Sequence, residues 1–417
     1  MRMRDYEMTD DESIGRRIAR QRRARGITQT ALAQEAQVSL SLLRKIEQGS
    51  RLASQPVLAA LTKALHVDLT TLTGQPYDRE GPRPDRLHTA MPNLRRALAY
   101  WDMPSELETP PRDAHQLSRD AAEIARLYQL DRNTEVVQKL PPLLMEAFAM
   151  VHGDESAEGA QREVLYDALM GMFYAAHAVT YQTGYEDLST IVEDRVRWVA
   201  NHSQDPVKPA FASWIRTTSL MRLGAYDAGS RMLARSIDDV DPGSRDDAGQ
   251  LRMAGSLHLR SAILAARANR LDDAKEHIAE ARQTAAHLSA DTDNDWANLA
   301  FGPSNVAIHA VATAVESGDG PGALTLADEI HFPEEMVRRL PIRVSHHHMD
   351  LARAYLWQGQ TDRALTSLER AKKFAPQQTR HHPTTREVTR MLVRAHNRKN
   401  EPLARFSAWL GKDLDRE

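Results

Sequence analysis

Residues Ala31–Gly49 read ALAQEAQVSLSLLRKIEQG. Leu32, Ala33 and Ala36 share one face of a short helix, and Gln37 and Val38 then turn the chain. Ser39 is placed to cap a second helix that runs to Gly49. Val38, Leu43 and Ile46 take the buried positions, so Leu40, Ser41, Arg44 and Lys45 are expected to face outward. The pattern predicts a tight helical corner whose second helix presents side chains to something other than its own core.

Upstream, a helix is expected over Ser13–Arg25, with Ile14, Ile18 and Gln21 inward and the arginines outside. Gly26 suits its left-handed cap, and Thr28 caps the next helix. Downstream, Ser54 opens a fourth helix with Pro56 in its first turn and Leu58, Leu61, Ala64 and Leu65 inward. Asp68 to Thr73 supplies a fifth, short one.

The formal net charge is −3 over 417 residues, but it is unevenly spread. Ser13–Leu65 holds ten basic residues against Glu35 and Glu47, a balance of +8 that leaves −11 elsewhere. A small basic unit on a larger acidic one predicts that only the first meets nucleic acid. Hydrophobic residues make up 41% and charged residues 27%, which fits folded protein and not general disorder. The length calls for at least two folding units. With no cysteine there is no disulfide, thiolate metal site or cysteine nucleophile. No apolar run reaches membrane-span length and no signal peptide is visible, so a cytoplasmic protein without a membrane partner is expected.

The stretch IGRRIARQRRARGITQTALAQEAQVSLSLLRKIEQG, followed by VLAALTKALHV, resembles the Cro/repressor-type helix-turn-helix domain of bacterial Xre-family regulators. Gln29, Leu32-Ala33, Ala36, Val38-Ser39, Leu43, Ile46-Glu47 and Gly49 fall in register. The resemblance implies that the third helix lies in the major groove. Arg44 then suits guanine, Leu40 a thymine methyl, and Ser41 a base or a phosphate. Lys45 shares that face. Gln29, Thr28, Ser39 and Arg51 complete the expected DNA-binding set, with Gln29 and the second helix's N-terminus holding a phosphate. It also implies that Arg22 pairs with Glu47. Leu40 departs from the polar residue often seen at its position.

Between Gly74 and Pro111 the chain is Pro-rich, except for LHTAMPNLRRALAYWDM, where Leu94, Leu98 and Trp101 predict one helix. From about Leu117 helix follows helix. Turns recur at Gly184, Gly224, Asn269, Gly318 and Gly359, spaced 40, 45, 49 and 41 residues apart, the mark of stacked helical hairpins. The segment DLARAYLWQGQTDRALTSLERAKKFAP resembles a tetratricopeptide repeat, with Ala352, Tyr355, Gly359, Ala364, Leu368, Ala371 and Pro376 in register. The combination, with FGPSNVAIHAVATAVESGD, resembles Xre-type regulators carrying a tetratricopeptide-like sensor region.

The expected fold is therefore all-α. A five-helix domain occupies residues 1–75, a Pro-rich linker with one helix 76–115, and a tetratricopeptide-like solenoid 116–417 that senses ligand and dimerises. Register along the first helix of each pair suggests a ligand-binding set. It comprises Tyr174, Tyr181, Arg222, Arg260, Arg267 and Trp357, with Asn305 and His309 on one helix and His346 and Asp350 on another. Tyr174, Tyr181 and Trp357 would otherwise serve as inter-repeat core, with the arginines solvated. His346-His347-His348 point about 100° apart, so they cannot all bind one ion, and no metal or cofactor is expected. No phosphate-binding loop, HExxH or GxSxG is present, and no enzyme is expected.

These features predict a sequence-specific transcriptional regulator. It would act as a homodimer on double-stranded DNA carrying an inverted repeat, its DNA affinity controlled by a small molecule or peptide. The alternative is a DNA-tethered scaffold whose repeats bind a partner protein.

Overall fold

The computed structural model describes residues 12–77, 85–103, 112–152, 159–240, 248–288, 299–395 and 400–411. Every regular element among them is α-helical. The first unit comprises α1 (Ile14–Ala24), α2 (Gln29–Glu35), α3 (Leu40–Glu47), α4 (Gln55–Leu65) and α5 (Leu69–Thr73). Ser13, Thr28 and Ser39 start the first three helices by accepting from the N–H groups of Arg16, Ala31 and Leu42. Ile18, Leu32, Leu43, Leu61, Leu65 and Leu72 are fully buried in one cluster. The arginines of α1 are not all outside as expected. Arg17 is buried and donates to the Thr73 carbonyl at 3.0 Å, and Arg22 is buried against α3.

α6 (Arg86–Ala99) is opened by Asp85, which accepts from Leu87 N–H. It buries Leu87, Leu94 and Leu98 in a cluster that continues through the repeats, not in the first unit. Trp101 lies beyond its end, half-buried, with the Arg195 guanidinium 4.0 Å above its ring. The Pro-rich stretches at 78–84 and 104–111 lie outside the described residues.

Helical hairpins follow. They are α7 (Ala114–Gln129) with α8 (Asn133–His152), α9 (Gly159–Thr183) with α10 (Glu186–His202), and α11 (Val207–Arg222) with α12 (Tyr226–Val240). Next come α13 (Ala248–Arg267) with α14 (Leu271–Ala285), then α15 (Pro303–Glu316) with α16 (Gly320–Asp328). The short α17 (Glu334–Arg339) precedes α18 (Pro341–Trp357) with α19 (Thr361–Phe374), and α20 (Pro376–His381), α21 (Pro383–Ala395) and α22 (Glu401–Leu410) close the chain. The five expected turns are all left-handed, with φ of 89° at Gly184, 68° at Gly224, 59° at Asn269, 83° at Gly318 and 70° at Gly359. A sixth, at Asp131 with φ 62°, turns α7 into α8 without any glycine to announce it.

First helices stack on first helices: α7 on α9, α11 on α13, α13 on α15, and α15 on α18. The array curls until its two ends meet. Asp131 accepts the Gln377 and Gln378 N–H groups at 2.6 and 2.8 Å, so the first hairpin's turn caps α20. Gln377 Oε1 in turn accepts from the Thr134 hydroxyl at 3.1 Å. No described helix is long and apolar enough to cross a membrane.

Candidate DNA-reading face and effector cavity

The corner between α2 and α3 turns at Gln37, whose φ is 53°, and closes with Val38 N–H donating to the Ala33 carbonyl at 2.9 Å. α1 crosses α3 so closely that a Cβ on Gly15 would sit 2.0 Å from the Ile46 carbonyl oxygen, which is why this position is glycine. Arg22 grips Glu47 with two parallel bonds of 2.7 and 2.8 Å and donates a third to the Ile27 carbonyl. Burial opposes ionisation of Glu47, but the hydrogen bonds from Arg22 and Gln29 outweigh it and hold its carboxyl below the usual range.

With the brace in place, Ser41, Arg44 and Lys45 are exposed along one side of α3, and Thr28 and Ser39 are exposed at the starts of α2 and α3. Three expectations need correction. Leu40 is half-buried and packs on the core of the first unit, because apolar surface beside the corner is cheaper to cover than to wet. Val38 is likewise only half-buried. Gln29 spends its amide on Glu47 at 2.8 Å, so its side chain is part of the brace. Arg51 is exposed but lies past α3, at the seam with the repeats.

That seam is built from specific contacts. Arg394 of α21 donates to the Gln48 and Gly49 carbonyls at the end of α3, at 3.2 and 2.6 Å. Gln75 reaches the carbonyls of Gln182 and His381 at 2.8 and 3.3 Å. Leu52 packs on the cluster formed by α18, α19, α21 and α22. Between these contacts lies a cavity of about 520 Å³, bordered by residues 50–58 on one side and by Glu316, Arg353 and Trp357 on the other.

A second cavity, of about 320 Å³, occupies the centre of the curl and is lined by the first helix of each hairpin. Seven expected ligand residues meet there: Tyr174, Tyr181, Arg260, Arg267, His309, His346 and Asp350. Three do not. Trp357 faces the seam cavity instead, beneath the Arg353 guanidinium. Arg222 lies 3.8 Å above the Tyr181 ring and pairs with Glu186 at 3.1 Å, so it buttresses the wall from behind. Asn305 is buried and serves through its carbonyl, which accepts from His309 Nδ1 at 2.9 Å. The rest of the apolar and aromatic lining, Tyr128, Trp214, Ile308 and Ile342 among it, was not foreseen. Their helical spacing reads equally as core, and only the curl separates the two.

Glu316 is the hub of the lining. It accepts from Arg267 and Arg353, each at 2.7 Å. Burial raises its pKa, but the two guanidinium groups more than reverse that and bring it down to about 2. Burial beside Arg343 drives His309 down to about 3, so it is a neutral imidazole. Its Nδ1 carries the proton given to Asn305, which leaves Nε2 as an acceptor. The three consecutive histidines diverge as expected. His346 meets His382 edge-on, His347 meets Phe332, and His348 stacks on Phe374.

Gln55, Glu316, Arg353 and Thr384 line both cavities. The centre of the repeats and the first unit thus share a wall.

Residues 13–73 match the model of the helix-turn-helix domain family. No curated protein matches the chain. Among solved structures it is similar to Bacillus thuringiensis PlcR in complex with the peptide PapR7 and DNA, at 12% identity over 84% of this chain and 98% of that one, with a TM-score of 0.33. It is also similar to the apo form of the competence regulator ComR from Streptococcus vestibularis, at 12% identity over 89% and 93% of the two chains, with a TM-score of 0.29. Residues 13–73 thus form a helix-turn-helix domain, and stacked α-helical hairpins follow it.

Proposed function

We propose that residues 1–75 read an inverted repeat in double-stranded DNA as one half of a homodimer, and that an effector held in the central cavity sets the DNA affinity. The supporting observation is the shared wall: Gln55 belongs to the first unit, while Glu316 and Arg353 belong to the repeats and line both cavities. A ligand beside Glu316 and Arg353 changes the surface on which the helix-turn-helix unit rests. It biases the equilibrium only by the difference in its affinity for the docked and released arrangements.

The cavity's size suits a small molecule or a short peptide segment, which favours an effector over the scaffold alternative. Ser41, Arg44 and Lys45 are the base- and phosphate-contacting side chains in this reading, with Thr28 and Ser39 near the backbone. A bidentate arginine–guanine pair contributes about 1–3 kcal/mol of discrimination. Selection from random duplexes with full-length protein is expected to enrich an inverted repeat. Arg44→Ala with Lys45→Ala is expected to lower affinity for it by roughly tenfold or more in fluorescence anisotropy. Unchanged affinity of that double variant would remove α3 from the major groove.

A further inference from the structure

The charges around the central cavity do not balance. Four arginines line it (Arg260, Arg267, Arg343 and Arg353), against the two carboxylates of Glu316 and Asp350. Arg267 and Arg353 take Glu316 between them, and Asp350 lies 3.5 Å from Arg353. The surplus falls on Arg260 of α13 and Arg343 of α18.

Arg260 donates to the Thr218 hydroxyl at 3.1 Å, and its guanidinium lies 4.2 Å from the Trp214 ring centroid. Burial lowers its pKa to about 10, the nearby Tyr181 and Tyr174 oppose the fall, and Arg343 and Arg267 add to it. Arg343 reaches the Tyr174 hydroxyl at 3.3 Å, and its Nε has no hydrogen-bond partner among the described residues. His309 and His382 are held neutral by burial and supply no charge of either sign. Two half-buried guanidinium groups border one half-open cavity, with hydroxyls and aromatic rings nearest them among the described residues, and an anion there would complete them.

We propose that the central cavity takes a small ligand bearing a carboxylate or phosphate, held between Arg260 and Arg343. Its aromatic or apolar body lies against Tyr174 and Trp214, whose rings meet at 5.9 Å across the wall. The assignment rests on the reading of this cavity as the effector site, and it specifies that site's chemistry. Planar guanidinium forks suit both anions, and an apolar wall beside them selects against a bare inorganic ion.

The test uses full-length protein and three probes: phenyl phosphate, 3-phenylpropanoate and the neutral 3-phenylpropanamide. Calorimetry is expected to show one or both acids binding roughly 10- to 100-fold tighter than the amide, the value of one or two charge-assisted hydrogen bonds. Arg260→Met and Arg343→Met are each expected to abolish that preference. Arg260→Met is also expected to raise the Tm of the ligand-free protein, since it removes an unneutralised cation. Binding of neither acid, equal binding of acid and amide, or a preference untouched by both substitutions would each overturn the assignment. Ala312→Trp, which fills the cavity, separates this proposal from the effector reading. If it shifts DNA affinity while acid and amide bind alike, the effector site survives and the anion falls. If the acids bind selectively but neither they nor the tryptophan move DNA affinity, the anion site stands and its regulatory role falls.

Discussion

Glu47 shows how one buried carboxylate organises the candidate DNA-reading face. It receives Arg22 from α1 and Gln29 from α2, so a single side chain on α3 sets the angles of both neighbours. Arg22→Met leaves that carboxylate buried without its bidentate partner, at a cost of about 3 kcal/mol. Hydrogen exchange is the suitable measurement because it resolves local opening. Amides of α1 and α3 are expected to exchange about 100-fold faster, with those of α9 and α13 unchanged. Unaltered protection in α3 would mean the pair does not hold the helix in place. The family pattern makes this pair readable from the sequence. Leu40 is not readable in the same way, because its exposure depends on how far the corner folds over the core.

The hairpin is the unit in which sequence and structure agree best. A left-handed residue ends each first helix, and a glycine there carries no Cβ penalty. Gly318 and Gly359 have open space where a Cβ would go, so only backbone strain opposes a side chain at either turn. Gly359→Ala is expected to cost about 1 kcal/mol, read as a lower Tm. Asn269 occupies the same conformation with φ 59°, so Asn269→Gly is expected to be neutral or slightly stabilising. The opposite order of these two effects would show that the turns are not what holds the hairpins. Asp131 was missed because aspartate at a left-handed turn is uncommon. Its carboxylate then does a second task, capping a helix 246 residues further on.

Acid should find the weakness of the assembled molecule. Burial lowers His309, His347, His381 and His382 to about 3, and His258 and His348 to about 4. A histidine whose folded pKa lies below its unfolded value of about 6.5 binds more protons when unfolded. Its contribution is fully present above pH 6.5 and is lost as pH falls toward the folded value. Glu316, at about 2, adds its own loss only below about pH 4.5. The urea midpoint is therefore expected to fall between pH 7 and pH 5, since these six rings together outweigh the buried Asp131, whose carboxyl is raised to about 8 and works in the opposite direction. A flat profile over that range would mean that these rings are hydrated in solution.

The helices, their caps, the five glycine or asparagine turns and the corner at Gln37 were legible because each is decided within a few residues, by periodicity, backbone sterics and local hydrogen bonds. The basic outer face of α3 was legible for the same reason. Hairpin register alone singled out ten residues, seven of which line the central cavity. The curl was not legible. It accumulates from small packing angles between successive hairpins and is closed by Asp131, Gln377 and Thr134, partners far apart in the chain. That closure brings Arg260 and Arg343 to one cavity, sets Tyr128 and Trp214 in its lining, and turns Trp357 toward the seam. Whether a side chain on a solenoid face is solvated, buried or part of a binding site is set by the return of the far end, and only the tertiary structure carries that.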